Sequence, residues 1–113
     1  MHEVSIMQFT LDLAEQQARQ SDANVIHLLR MRIGKLSGVV TDALRFAFQA
    51  LKQGTLAATA TLEIEEVQPV CWCAGCVSEF EVNDYIYECP TCHQPSADLR
   101  RGREMALVSL EIS

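Results

Sequence analysis

Apolar residues recur along this chain with two different periods. From residue 4 to residue 20 they return every three or four positions. Val4, Met7, Leu11, Ala14 and Ala18 form a stripe, widened by Ile6, Leu13 and Phe9, with Glu15, Gln16, Arg19 and Gln20 opposite. This spacing predicts an amphipathic helix whose apolar face covers a core. Over residues 24–34 the period shortens to two: Val25, Leu29, Met31 and Ile33 are set against Arg30 and Arg32, which predicts a strand ended by Gly34. The stretch Gly34-Lys35-Leu36-Ser37-Gly38 reads as a loop.

The helical period returns over 42–53, with Leu44, Ala47, Phe48 and Leu51 on one face, Thr41 as the expected N-cap and Gly54 placed to close the helix. Two further alternating runs follow. Over 58–67, Ala58, Ala60, Leu62 and Ile64 oppose Thr59, Thr61, Glu63 and Glu65; over 104–112, Ala106, Val108, Leu110 and Ile112 share a face. The expected fold is α/β: a small three-stranded mixed sheet with two helices. Residues 70–99 interrupt this pattern with all five cysteines, two prolines, the Trp and both tyrosines, and read as an inserted subdomain. The division expected is 1–69 with 100–113 as one unit and 70–99 as the other.

Composition narrows what such a chain does. Apolar residues make up 49% of it, enough to fold a modest core. No apolar run approaches the roughly 20 residues needed to span a bilayer, and Met1-His2-Glu3-Val4-Ser5 lacks the basic start of a secretory signal. A cytoplasmic protein with reduced thiols is therefore expected, with no membrane partner, as a monomer or weak homo-oligomer. The net charge is −6, and no Lys or Arg occurs between Gln53 and Leu99, where Glu63, Glu65, Glu66, Glu79, Glu81, Asp84, Glu88 and Asp98 fall. A nucleic-acid ligand needs cations to neutralise phosphates, and the cysteine region offers the reverse.

Cys73-Ala74-Gly75-Cys76 and Cys89-Pro90-Thr91-Cys92 are two Cys-x-x-Cys turns joined by the segment Val77–Glu88, long enough for a hairpin. Each turn aims two sulfurs at one point, and two turns complete a tetrahedron of thiolates around zinc. This is a zinc-ribbon pattern. Gly75 and Pro90 suit its tight turns, and Val82, Tyr85 and Tyr87 are available to line the hairpin. Four thiolates leave no open coordination position, so the zinc is expected to be structural. A redox dithiol needs only one pair, at a strand-to-helix junction, and fits poorly. Cys71 is either a buried thiol at a strand end or an alternative ligand. His93, directly after Cys92, is either an exposed loop imidazole or a pH-dependent substitute ligand.

His2 raises a second metal question. The Met1 amine, the His2 amide nitrogen and the His2 ring can close five- and six-membered chelate rings in one plane. Such a plane suits tetragonal Ni(II) or Cu(II) better than tetrahedral zinc, and the Glu3 amide or carboxylate is available as a fourth donor. On this chemistry alone a solvated chain end remains the alternative.

Taken together, Met1-His2-Glu3, the amphipathic helix behind it, Arg32-Ile33-Gly34-Lys35-Leu36-Ser37-Gly38, Ala43-Leu44-Arg45-Phe46-Ala47-Phe48, the two cysteine turns with His93 and the closing strand resemble the HypA/HybF family. These are nickel metallochaperones of nickel–iron hydrogenase maturation. The resemblance runs from Met1 to about Ile112. It implies a nickel-binding α/β domain with nickel held at the terminus by His2 and Glu3, and zinc held by Cys73, Cys76, Cys89 and Cys92. It also implies two partners, the maturation GTPase HypB and the hydrogenase large-subunit precursor, and no catalytic activity. Some family members carry an acidic residue before the second helix that can approach the nickel. Here that position is Val40, with Asp42 two residues on, which leaves the oxygen ligand to Glu3 or water. Two rivals are a nucleic-acid-binding zinc ribbon, opposed by the acidic middle of the chain, and a small enzyme, for which neither a Ser/His/Asp order nor an open zinc position is present.

Overall fold

The computed structural model describes residues 2–113, so the Met1 amine invoked above lies outside the described residues. The elements run α1 (Glu3–Gln20), β1 (Ile26–Gly34), α2 (Thr41–Leu51), β2 (Thr61–Val67), β3 (Val70–Cys73), β4 (Ser78–Glu81), β5 (Leu99–Arg101) and β6 (Met105–Ile112). They form two three-stranded sheets, one ordered β2-β1-β6 and the other β4-β3-β5. The molecule is elongated, 53 × 25 × 18 Å.

In the first sheet β1 is central, parallel to β2 and antiparallel to β6, which makes the sheet mixed as expected. Leu29, Met31 and Ile33 face the helices and join Met7, Leu11, Ala14, Leu44 and Phe48 in one buried core. The alternate residues face outward. Arg30 lies opposite Glu63 and Arg32 opposite Glu65, and the side chains meet at 2.9 and 3.1 Å. Exposed pairs of this kind stabilise by only ~0.2–1 kcal/mol each, but they keep the arginines and glutamates on the solvent face.

α1 ends with Asp22 in the left-handed region, while the Asp22 and Ala23 amides donate to the Arg19 and Ala18 carbonyls. This is a Schellman closure, in which orphaned carbonyls at the helix end find donors. The buried stripe of α1 is Ile6, Met7, Thr10, Leu11, Ala14 and Ala18, whereas Val4 and Phe9 are exposed. The Thr10 hydroxyl donates to the Ile6 carbonyl at 2.8 Å, which makes its burial tolerable.

Three details differ from the sequence reading. Thr41 is the first helical residue of α2 and not its N-cap; Val40 takes that position. β2 begins at Thr61 because residues 55–60 form a turn in which Thr55 Oγ1 donates to the Lys52 carbonyl and accepts from the Ala57 amide. In β6 the register slips between Arg30↔Ser109 and Met31↔Leu107, leaving Val108 bulged. The bulge shifts the alternation by one residue. Leu107, Leu110 and Ile112 therefore reach the core, and Val108 is exposed.

The second sheet has its own small core of Cys71, Cys73, Phe80, Val82 and Cys89. The chain leaves the first sheet through Pro69 and returns through Gly102, which is pressed between Pro69 and the end of β1. A Cβ on Gly34 would overlap the Gly102 carbonyl. Gly102, at φ 126, would itself drive a Cβ to 2.8 Å from Pro69 Cα. The Gly34 amide donates to the Glu104 carbonyl (2.8 Å) and the Leu36 amide to the Gly102 carbonyl (2.7 Å). Gly34 is thus required for close backbone passage as well as for ending a strand.

Candidate metal centres

The cysteine cluster is assembled by two matching turns. Cys73 is the last residue of β3, and Cys76 stands in the turn before β4. Cys89 and Cys92 form the second turn, closed by the His93 amide on the Cys89 carbonyl (2.9 Å) and the Cys89 amide on the Gln94 carbonyl (3.0 Å). In each turn the residue after the second cysteine has positive φ: Val77 at 51° and His93 at 62°. The sequence reading assigned the tight geometry to Gly75 and Pro90. Those two residues lie inside the turns, and the left-handed residue after the first turn is Val77, a β-branched side chain held there at a cost on the order of 1 kcal/mol.

All four sulfurs lie within 4.8 Å of one another. Cys73 Sγ is 3.5 Å from Cys92 Sγ, and Cys89 Sγ is 3.9 Å from Cys76 Sγ. A tetrahedron of sulfurs at roughly 2.3 Å from a central ion has edges of about 3.8 Å, so the donor set fits zinc. Cys73 and Cys89 are buried, while Cys76 and Cys92 are half-buried. The backbone amides of Cys92 and Thr91 draw the Cys89 thiol down to about 6, while hydrogen bonding to the Cys92 sulfur and desolvation push Cys76 up to about 12. Zinc takes the four groups as thiolates, so its binding releases their protons.

Cys71 lies outside this group. It is fully buried between Phe80 of β4 and Leu99 of β5, and burial, with the Asp98 charge behind it, pushes its thiol up. His93 is exposed, its Nδ1 3.0 Å from a Glu88 carboxylate oxygen. Trp72 carries the Arg100 guanidinium over its ring at 4.9 Å, a contact that no sequence spacing announced.

The terminal residues are placed very differently. His2 is exposed and serves as the N-cap of α1, its carbonyl accepting the Ser5 and Ile6 amides at 3.1 and 3.2 Å. Glu3 is half-buried, and its Oε2 accepts the Val40 amide at 3.4 Å. The start of α1 thus meets the loop that follows β1. His27 lies at the other end of β1, its Nε2 2.7 Å from Ser113 Oγ, and does not join His2. Asp42 is exposed in the first turn of α2. One pairing near this end escaped the sequence reading. Thr41 Oγ1 donates to Glu66 Oε1 at 3.1 Å, a pairing visible only once β2 and α2 are side by side.

No helix among the described residues is long and apolar enough to cross a membrane. A family profile described as "Hydrogenase/urease nickel incorporation, metallochaperone, hypA" matches residues 1–112. A hydrogenase maturation factor HypA from Picosynechococcus sp. is 47% identical over 112 residues, covering 99% of each chain. One from Chloroflexus aurantiacus is 41% identical over 98% of each. Among solved structures, the solution structure of the Ni metallochaperone HypA from Helicobacter pylori superposes with a TM-score of 0.68 at 29% identity, over 99% of this chain and 97% of that one.

Proposed function

The chain belongs to the HypA family of nickel-incorporation metallochaperones in hydrogenase maturation, and we propose that it carries Ni(II) at its terminus to the hydrogenase large-subunit precursor while a zinc ion at Cys73, Cys76, Cys89 and Cys92 organises the second sheet. The observation that carries this reading is the family match from residue 1, which includes Met1-His2-Glu3, onto a chain whose His2 is exposed and free of core packing.

The cargo site uses the Met1 amine, the His2 amide and ring, and Glu3. A set whose His2 stands in solvent binds an ion and gives it up again. The zinc set is the opposite, with sulfurs held on two rigid turns. The division proposed is a nickel-binding unit of 1–69 with 100–113 and a zinc ribbon of 70–99. Its partners are the maturation GTPase HypB and the large-subunit precursor, and its work lies in the cytoplasm. It catalyses no reaction of its own.

The test is titration of the zinc-loaded chain with Ni(II). His2→Ala is expected to lose specific nickel binding and keep its zinc, as read by calorimetry and metal analysis. Unchanged nickel affinity in His2→Ala would remove the terminal site from the account.

A further inference from the structure

The first sheet has two outer strands, and only one of them is guarded. β2 carries Glu63, Glu65 and Glu66 within seven residues, the kind of charge that keeps an open edge from pairing. β6 is open along its far side as well, since the strand order is β2-β1-β6. Its eight residues hold one charge, Glu111, and no proline. Between β6 and α1 lies an apolar hollow of about 580 Å³, lined by Ile6, Phe9, Leu13, Met31, Met105 and Leu107. Phe9 is 70% exposed beside it, and Met105 and Val108 are exposed on β6 itself. An apolar edge of this length, flanked by an apolar hollow, suits a further strand.

We propose that this strand is β6 of a second copy of the chain, paired antiparallel about a two-fold axis between Val108 and Ser109, so that the two sheets join edge to edge. The pattern of faces selects that register. Leu107, Leu110 and Ile112 face the core, and Met105 lies opposite Ile33 on the same side. Ala106 and Ser109 lie opposite Arg32 and Arg30 on the outer face, and Glu111 lies opposite Leu28 there. The bulge at Val108 reverses the alternation at mid-strand, so the strand is complementary to itself. Leu107 meets Leu110 of the second copy, Met105 meets Ile112, and Ala106 meets Glu111. A slip by one residue would set Leu107 against Ser109 or Glu111 and mismatch the faces. Charge agrees with this register. Glu111 joins none of the ion pairs among the described residues. Across the seam it faces the small Ala106, with Arg32 on the strand behind. Arg32 meets Glu65 through Nε, which leaves its terminal nitrogens for Glu111. A parallel pairing in register would instead stack Glu111 on Glu111. The antiparallel joint is isologous and closes at two copies. It brings the two α1 helices to the seam, where Phe9 and Leu13 of each cover the hollow beside the other.

The experiment follows the mass of the full zinc-loaded chain by sedimentation as its concentration is raised. A monomer–dimer equilibrium is expected. Ala106→Asp sets a carboxylate against Glu111 at two places across the axis and is expected to weaken the dimer about 10-fold. Adding Glu111→Lys to that variant turns both contacts into opposite-charge pairs and is expected to bring the dimer back to within about threefold of the parent. Ala106 and Glu111 are both exposed, so the fold and the zinc content of the variants should match the parent, as read by heteronuclear NMR and metal analysis. A second measurement needs no substitution. In a mixture of differently labelled chains, intermolecular nuclear Overhauser effects should link the methyl groups of Leu107 and Leu110. A chain that stays monomeric at every concentration overturns the proposal and leaves the edge to an extended segment of another protein. A dimer that Ala106→Asp leaves untouched overturns it too, as does one that Glu111→Lys fails to restore or whose intermolecular contacts fall on other strands.

Discussion

The two sheets are held together by different materials. The β2-β1-β6 sheet buries Met7, Leu11, Leu29, Met31, Ile33, Leu44 and Phe48 against two helices, a core that needs no ion. The core cluster of the β4-β3-β5 unit has five buried residues, and three of them are cysteines. Phe80 and Val82, with Val70 and the partly buried Tyr87 and Leu99, are little apolar surface to order strands of three or four residues. Where hydrophobic burial is scarce, metal–thiolate bonds take its place. The difference fits the proposed function: the ion that builds structure would be enclosed by sulfurs on fixed turns, and the ion that is carried would be held beside the exposed His2.

The largest effect should come from removing one sulfur. Cys89→Ala is expected to lose zinc and, with it, the amide dispersion and protection of residues 70–101, while the first sheet keeps its spectrum. The reciprocal change, Phe48→Ala, should cost the first sheet about 3–5 kcal/mol and leave the zinc content at one per chain. Heteronuclear NMR with metal analysis reads both. If Cys89→Ala unfolds the whole chain in one transition, or leaves the ribbon intact, the contrast between the sheets does not hold.

A smaller effect sharpens the same contrast. Glu79 of β4 is gripped by both terminal nitrogens of Arg101 of β5, at 2.9 and 3.2 Å, across the central strand. That guanidinium holds the Glu79 carboxyl below its ordinary value of 4.5. A carboxyl lowered in the folded state adds stability above the unfolded value and loses it as the pH falls through the folded one. The ribbon of Glu79→Gln should therefore melt slightly below the parent at pH 7, and the gap should close as the pH drops below the ordinary carboxylate range. The first sheet should show no difference. A gap that is absent at pH 7, or that widens in acid, would deny the pair any role in the ribbon.

Much of this was legible in the chain, because period and spacing are local. The 3.6-residue stripe gave α1 and α2, the alternation of Arg30 and Arg32 with Leu29, Met31 and Ile33 gave β1, and the two cysteine turns announced four convergent sulfurs. What stayed hidden depends on partners distant in sequence. The face of Val108 is set by a bulge against β1, which no pattern within 104–112 records. Thr41 looked like a cap because it is a threonine before a helix, but Glu66, 25 residues away, engages its hydroxyl. Gly34 read as a strand end, and only the close passage of Gly102 shows why a side chain is barred there. Val77 could not be read as left-handed, since nothing in a valine suggests it; the turn imposes that conformation.

On the proposed function, two metals occupy two chemically different sites. X-ray absorption at the nickel and zinc edges of one sample, loaded with one equivalent of each ion, distinguishes their surroundings. Zinc is predicted to show a shell of four sulfurs at roughly 2.3 Å, and nickel a planar shell of nitrogen and oxygen with no sulfur. Sulfur in the nickel shell, or nitrogen replacing sulfur around zinc, would contradict it.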